Sequence, residues 1–405
     1  MPKILTSLDL GSSEFKGIVA EEKKDGLLSV VSVFKQPSAG FRKGVLVDFE
    51  EAADALGRLF EDIQKMYKRA AGNVFVNVQS EHIKPRPSRG AVAISNVQRE
   101  IRSEDIEKVN QLSLAFKASP NSFVLHNIIK EYFVDDIGDI LDPLGMSGNR
   151  LEVETLIIEG VSSQISPLVK LFDSIDVSIG GLVFSPLAAA EAVLSKKQKN
   201  LGVLLIDFGF GTTNIAVFEE GKILHAKTIP IGSSYITNDI AIGLKIPIDL
   251  AEKLKVSYSS ATASGVGKRD VIKLADVDGK SEGEVSRKFM TEIIEVRVAE
   301  MLDLINNEIK AIGRNVQLPG GVVATGGGVK LYKMDEMLRG EMRLPAQVGF
   351  PNLSRFEILN PAHKEMIDDP EFAVAVGLML KSSEENTRPI QKIRSIKDFL
   401  RNLLP

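Results

Sequence analysis

Two aspartates close short apolar runs and are followed at once by small residues. One stands in Asp9-Leu10-Gly11-Ser12-Ser13, the other in Asp207-Phe208-Gly209-Phe210-Gly211-Thr212-Thr213. Glycine has no Cβ, so the backbone N–H groups of such turns approach phosphate oxygens closely. Ser12, Ser13, Thr212 and Thr213 add hydroxyl donors. Asp9 and Asp207 offer hard oxygen ligands of the kind Mg2+ takes, directly or through water. Two such turns facing each other across a cleft would clamp a nucleoside triphosphate and its metal. Each turn alone is equally an ordinary hairpin turn; the recurrence carries the reading. A third cluster, Gly326-Gly327-Gly328 after Val322 to Thr325, would let a nucleoside lie flush on the backbone, or is a flexible strand-to-helix loop. Gly279-Lys280-Ser281 resembles the end of a Walker A motif, but Leu274 stands where its first glycine belongs, so a P-loop is not supported.

The elements around these turns repeat as well. Strands are expected over 4–9, 15–20 and 27–34, and again over 202–207, 214–218 and 223–231. Both sets are hairpin units with an aspartate ending the first strand. Apolar residues at helical spacing (Ala52, Leu56, Leu59, Phe60, Ile63, Met66) predict a helix over 49–69. Further helices are expected over 167–175, 186–194, 289–312 and 370–380. Strands then helices, twice over, indicate an α/β protein of two related lobes. Residues 81–164 break the rhythm and read as an inserted small α+β domain. Its expected elements are a strand near 90–94, a helix over 103–116 and strands over 122–133 and 151–158.

Composition narrows the class. Of 405 residues 44% are hydrophobic and 26% charged, which excludes wholesale disorder, collagen and a multi-span membrane protein. No apolar run approaches the ~18 residues of a membrane span. The start, MPKILTSLDL, has no apolar signal core, so no secretory signal is expected. The absence of cysteine excludes a disulfide scaffold, a cysteine nucleophile and a zinc–thiolate site. His82, His126, His225 and His363 lie far apart without metal-ligand spacing. A net charge of −4 gives no reason to expect nucleic acid as a partner.

That charge is uneven. Residues 390–405 carry Lys392, Arg394, Lys397 and Arg401 against Asp398, a net +3 that leaves −7 on the rest. On a helical wheel Ile390, Ile393, Ile396, Phe399, Leu400, Leu403 and Leu404 cover one half. Such a helix lies at an anionic membrane surface, unless it docks on the protein's own core. So short a helix is marginal in water and is expected to fold on binding. The polar stretch 382–389 reads as its linker. One such helix holds weakly; a filament carrying many gains avidity.

The turns at Asp9, Asp207 and Thr325 resemble the phosphate-1, phosphate-2 and adenosine motifs of the actin, sugar-kinase and heat-shock-chaperone ATPases. Within that superfamily the chain resembles the bacterial cell-division FtsA family over about residues 4–380. The most specific stretch is IDFGFGTTNIAVFEEGKILHAKTIPIGSSYITNDIAIGLKIPIDLAEKLK, supported by GMSGNRLEVE, EIIEVRVAEMLDLINNEI and DPEFAVAVGLML. The resemblance implies an actin-like two-lobed fold of duplicated ribonuclease-H-like domains with an inserted domain. Subdomain 1A would be 1–80 with 165–198, 1C 81–164, 2A 199–232 with 312–381, and 2B 233–311. It implies ATP and Mg2+ between the lobes, self-association into protofilaments, and attachment to the cytoplasmic side of the membrane as a peripheral protein. Gly11, Ser12, Ser13, Lys16, Gly209, Gly211, Thr212 and Thr213 would contact phosphates, and Asp9 and Asp207 would hold Mg2+. Gly326, Gly327 and Gly328 would pack on the adenosine, with Glu252 and Lys255 near the ribose and base. On a helix Glu252 and Lys255 are i,i+3 neighbours, which is also the pattern of a solvated surface ion pair worth little. The family's partner is the C-terminal tail of the tubulin-like FtsZ, expected on 2B near Arg287, Lys288 and Arg297.

There are departures. Asn214 stands where relatives often have Asp, and the turn DLGSSEFKG is closer in style to the type IV pilus protein PilM. Fast ATPases of the superfamily carry a carboxylate or Gln before the connecting helix, to orient the attacking water. Here Ser185 holds that place and Glu191 lies almost two turns further, so ATP binding with slow or no hydrolysis is expected. The alternatives are a PilM-like pilus assembly factor and a small-molecule kinase of the same superfamily.

Overall fold

The structure is a computed structural model that describes residues 3–96, 98–114, 121–313 and 318–384. The chain opens with an antiparallel meander, β1 (Lys3–Leu10), β2 (Glu14–Glu22) and β3 (Leu28–Pro37). Helix α1 (Phe49–Met66) follows. Asp48 caps it by accepting from Glu51 N, and Ala52, Leu56, Leu59, Phe60 and Ile63 form its buried stripe. Strand β4 (Val74–Val78) then pairs parallel to β1.

The insertion comes next: β5 (Lys84–Ala93), α2 (Ser103–Leu114), β6 (Ser122–Val134), β7 (Ile137–Ile140) and β8 (Arg150–Val161). Its sheet runs β5-β8-β6-β7 in space, wholly antiparallel. Helix α3 (Ser162–Ser174) returns the chain to the first lobe. It starts before the expected 167, because Pro167 is accommodated inside it. Strand β9 (Ile179–Phe184) then pairs parallel to β4, and α4 (Ser185–Val193) leaves the lobe.

The second lobe repeats the first. The meander β10 (Val203–Phe208), β11 (Thr213–Glu219) and β12 (Lys222–Ile229) leads to α5 (Ser233–Leu244), α6 (Ile248–Tyr258) and α7 (Arg287–Ala311). Strand β13 (Val322–Thr325) pairs parallel to β10, and β14 (Ala346–Val348) parallel to β13. The orders β3-β2-β1-β4-β9 and β12-β11-β10-β13-β14 are the same arrangement twice, and the short strand Phe356–Glu357 extends the first at its β3 edge.

The last helix, α9 (Ala373–Glu384, numbered after α8, Met334–Met342), corrects the linker boundary. Residues 382–384 complete this helix. Ser383 Oγ donates to Glu22 Oε1 at 2.6 Å and accepts from Arg355 Nη2 at 2.9 Å. Serines that read as linker are here hydrogen-bonded packing residues. The rest of the linker and the amphipathic segment with Ile390, Ile393, Ile396, Phe399, Leu400, Leu403 and Leu404 lie outside the described residues.

Candidate functional site

The two glycine turns line one cavity of about 400 Å3 between the lobes. Gly11, Ser12 and Ser13 come from the β1–β2 turn, Gly209, Gly211 and Thr212 from the β10–β11 turn, and Gly326, Gly327 and Gly328 from the end of β13. The turns nearly touch: a Cβ on Gly211 would stand 2.7 Å from Ser12 Oγ. Gly326 has φ +86°, and a Cβ there would meet Asp207 Oδ1 at 2.4 Å, so only glycine fits.

Asp9 and Asp207 are the next-to-last residues of the first strand of each lobe, and both are buried. Asn77 Nδ2 donates to Asp9 Oδ1 at 2.8 Å, and Asn214 Nδ2 to Asp207 Oδ2 at 2.9 Å. Burial pushes the Asp9 carboxyl up to about 7; Lys16, its register partner on β2, opposes this, and the charge of Asp207 adds to it. Burial raises Asp207 too, against Asn214 and Lys16. Two desolvated carboxylates on one cavity suit a hard cation, whose charge would remove the penalty on both. Among the described residues no group of three or more His, Asp or Glu could by itself hold a metal.

Thr213 departs from expectation. Its Oγ1 donates to the Ile231 carbonyl at 2.7 Å, away from the cavity. Side chains alternate along a strand, so Thr212 and Asn214 take the cleft side and Thr213 the other. Lys16 lines the cavity together with residues the sequence did not single out: Glu14, Lys35, Gln79, Lys330 and Glu371. Lys35 bridges the lobes, 3.1 Å from Glu14 and 2.8 Å from Glu371, and Lys330 lies 3.5 Å from Glu371 and 2.6 Å from Asp369.

Glu252 and Lys255 also line the cavity, and they are no solvated pair. Lys255 Nζ donates to Glu252 and to Thr237 Oγ1, both at 2.8 Å, and Thr237 donates on to Glu252 at 2.5 Å. Burial pulls the lysine down, and Glu252 holds it up. On the far side Lys43 Nζ crosses from the 41–46 hairpin to Tyr235 Oη at 2.6 Å.

The three basic residues expected at a partner site do not form one patch. Lys288 and Arg297 are about two and a half helical turns apart on α7, so they face opposite ways. Arg287 Nε donates to the Tyr258 carbonyl at 3.2 Å, which ties α7 to α6. Lys288 meets Glu292 at 3.9 Å. Arg297 pairs with Asp239 of α5 at 2.5 Å and with Glu300 at 2.8 Å.

A family model described as cell division protein FtsA matches residues 204–377, and one described as the SHS2 domain inserted in FTSA matches 80–159. The cell division protein FtsA of Pseudomonas aeruginosa is 32% identical over 378 residues, 93% of this chain and 89% of that protein. The chain belongs to the FtsA family. The FtsA proteins of Borreliella burgdorferi (32% identity, 97% of this chain and 94% of that protein) and Bacillus subtilis (30%, 93% and 83%) are similar relatives. Among solved structures, the PilM-PilN type IV pilus biogenesis complex matches with TM-score 0.64 at 16% identity, covering 94% of this chain and 98% of that one. MreB5 of Spiroplasma citri bound to ADP matches with TM-score 0.57 at 14% identity, covering 96% and 99%. The fold of this FtsA-family chain is thus actin-like, with the SHS2 domain inserted in its first lobe.

Proposed function

We propose that this FtsA-family protein binds ATP with Mg2+ between its lobes, assembles into protofilaments, and tethers FtsZ to the cytoplasmic face of the membrane. The observation that carries the nucleotide part is the cavity with two opposed Asp-Gly turns and a third glycine turn packed on Asp207. Gly11, Ser12, Ser13, Lys16, Gly209, Gly211 and Thr212 would hold the phosphates; Thr213 would hold the turn. Asp9 and Asp207 would hold the metal, which neutralises charge between phosphate oxygens when bound. Lys255 and Glu252 would take the base and ribose, with Gly326, Gly327 and Gly328 beneath the nucleoside.

Among the described residues no helix is long and apolar enough to cross a membrane. The amphipathic segment 390–405 supplies attachment instead, and polymerisation multiplies its weak affinity. For the FtsZ tail we assign the α5–α7 seam around Arg297: the exposed Val296 adjoins Arg297 on α7, and the exposed Ile242 lies three positions beyond its ion-pair partner Asp239 on α5. Arg287 and Lys288 are then structural and peripheral.

The test is fluorescence anisotropy of a labelled FtsZ C-terminal peptide titrated with the full chain and with Arg297→Ala. Alanine is chosen because glutamate would face Asp239. Saturable binding weakened about tenfold in the variant supports both function and site. Binding indifferent to the substitution discards the site. No binding by a folded, ATP-competent chain discards FtsZ tethering and leaves the family membership and the nucleotide reading standing.

A further inference from the structure

The place before α4 where a water-orienting side chain is expected holds nothing that reaches the cleft. Ser185 is fully buried; it donates to the Val78 carbonyl at 3.2 Å and accepts from Asn77 at 3.0 Å. Glu191 faces Lys199 at 3.4 Å and Lys381 at 3.7 Å. A different carboxamide occupies the floor of the cavity. Gln79 follows β4 directly, lines the cavity and is almost fully buried. Its Oε1 accepts from Thr212 Oγ1 at 3.2 Å and from Asn214 Nδ2 at 3.1 Å, both in the second lobe. Its Nε2 has a long contact, 3.5 Å, to the Leu10 carbonyl of the first. Asn214 is itself fixed: its Oδ1 accepts from Thr228 Oγ1 at 2.7 Å, and its Nδ2 also donates to Asp207. The amide group of Asn214 is therefore turned toward Gln79, and the oxygen of Gln79 toward Asn214.

We propose that Gln79, held in place by Asn214, orients the water that attacks the γ-phosphate of bound ATP. The inference rests on the nucleotide reading above. A carboxamide oxygen has two lone pairs, and in this structure Thr212 and Asn214 take both. When the Thr212 hydroxyl turns to a phosphate oxygen, one lone pair opens toward the cavity. It accepts a hydrogen bond from a water and aims that water's oxygen at the γ-phosphorus. The water oxygen bonds to phosphorus as the bond to the β,γ-bridging oxygen breaks. The electron pair leaves with ADP, and the water's proton ends on the product phosphate. One open lone pair on an otherwise committed side chain gives slow turnover.

The experiment measures phosphate release from saturating Mg-ATP and, separately, the dissociation constant of a fluorescent ATP analogue, on the full chain. Wild type is expected to turn over slowly. Gln79→Ala should cut turnover by about tenfold or more while the dissociation constant stays within about threefold. Glu191→Gln should match wild type in both. Loosened lobes would instead weaken nucleotide binding as much as turnover, and that pattern overturns the proposal. So does Gln79→Ala with wild-type turnover. A wild type that binds ATP and releases no phosphate overturns it too, and leaves the binding reading standing. A wild type that binds no nucleotide removes both.

Discussion

His126 is a residue whose chemistry follows from where the fold puts it. It lies on β6 of the insertion, and its Nε2 accepts the backbone N–H of Phe184 in the first lobe at 2.9 Å. Burial, reinforced by the charge of Lys381, holds its pKa down at about 4 against an ordinary 6.5. The unfolded chain therefore takes up this proton first on acidification. Stability from His126 is full above about pH 6.5 and is lost as pH falls toward 4, in total on the order of 3 kcal/mol. Thermal melts of wild type and His126→Gln between pH 7.5 and 5 check this. Glutamine keeps an acceptor at similar reach without titrating, so the variant should lose distinctly less of its melting temperature. Parallel curves would remove His126 from the account. The sequence showed this histidine only as isolated, because its partner lies 58 positions away. The same limit hid Gln79, whose partners Thr212 and Asn214 are 133 and 135 positions distant. Thr213 was misassigned for a local reason: the turn motif extends one residue into β11, where alternation turns its hydroxyl away.

Between elements, helices α4 and α9 cross over from one lobe to the other. Helix α4 leaves β9 of the first lobe and packs on β10, β11 and β12 of the second; α9 leaves the second lobe and packs on β1, β2 and β4 of the first. They meet each other more closely than either meets a sheet. A Cβ on Gly377 would stand 1.8 Å from the Ala188 carbonyl oxygen, so the backbones are in direct contact. A helical glycine is unfavourable by about 1 kcal/mol relative to alanine, yet here alanine has no room. Gly377→Ala should lower stability by about 1–3 kcal/mol or more, read as a fall in the urea midpoint. A variant as stable as wild type would show that the crossing tolerates wider spacing. Both helices were legible as apolar stretches near 186–194 and 370–380, and the duplicated strand order was legible from the repeated Asp turns. Their exchange between lobes was not, since periodicity reports that a helix is buried and not on which sheet.

Over the whole molecule, the insertion has a core of its own and shares strand β8 with the first lobe, while β6 adds Phe123, Leu125 and Ile128 and the His126–Phe184 hydrogen bond to the same boundary. The first half of β8 contributes Leu151 and Val153 to the insertion's own core with Val92, Ile94, Val109 and Tyr132. Its second half contributes Leu156 and Ile158 to the first lobe's core, with Phe172, Val183 and Phe184. A further tie is ionic: Lys222 of the second lobe reaches Asp139 at 2.6 Å and Glu131 at 3.3 Å in the insertion. Two truncations five residues apart on one strand should therefore act at different ranges. Each removes a buried leucine and costs about 2–5 kcal/mol where its cavity opens. Leu151→Ala should raise amide exchange across β5 to β8 while β1, β10 and ATP affinity stay as in wild type. Leu156→Ala should raise exchange in the insertion and in β4 and β9 alike, and lower the main melting transition. If Leu151→Ala lowered protection in β1 as well, the insertion would be one cooperative unit with the lobe.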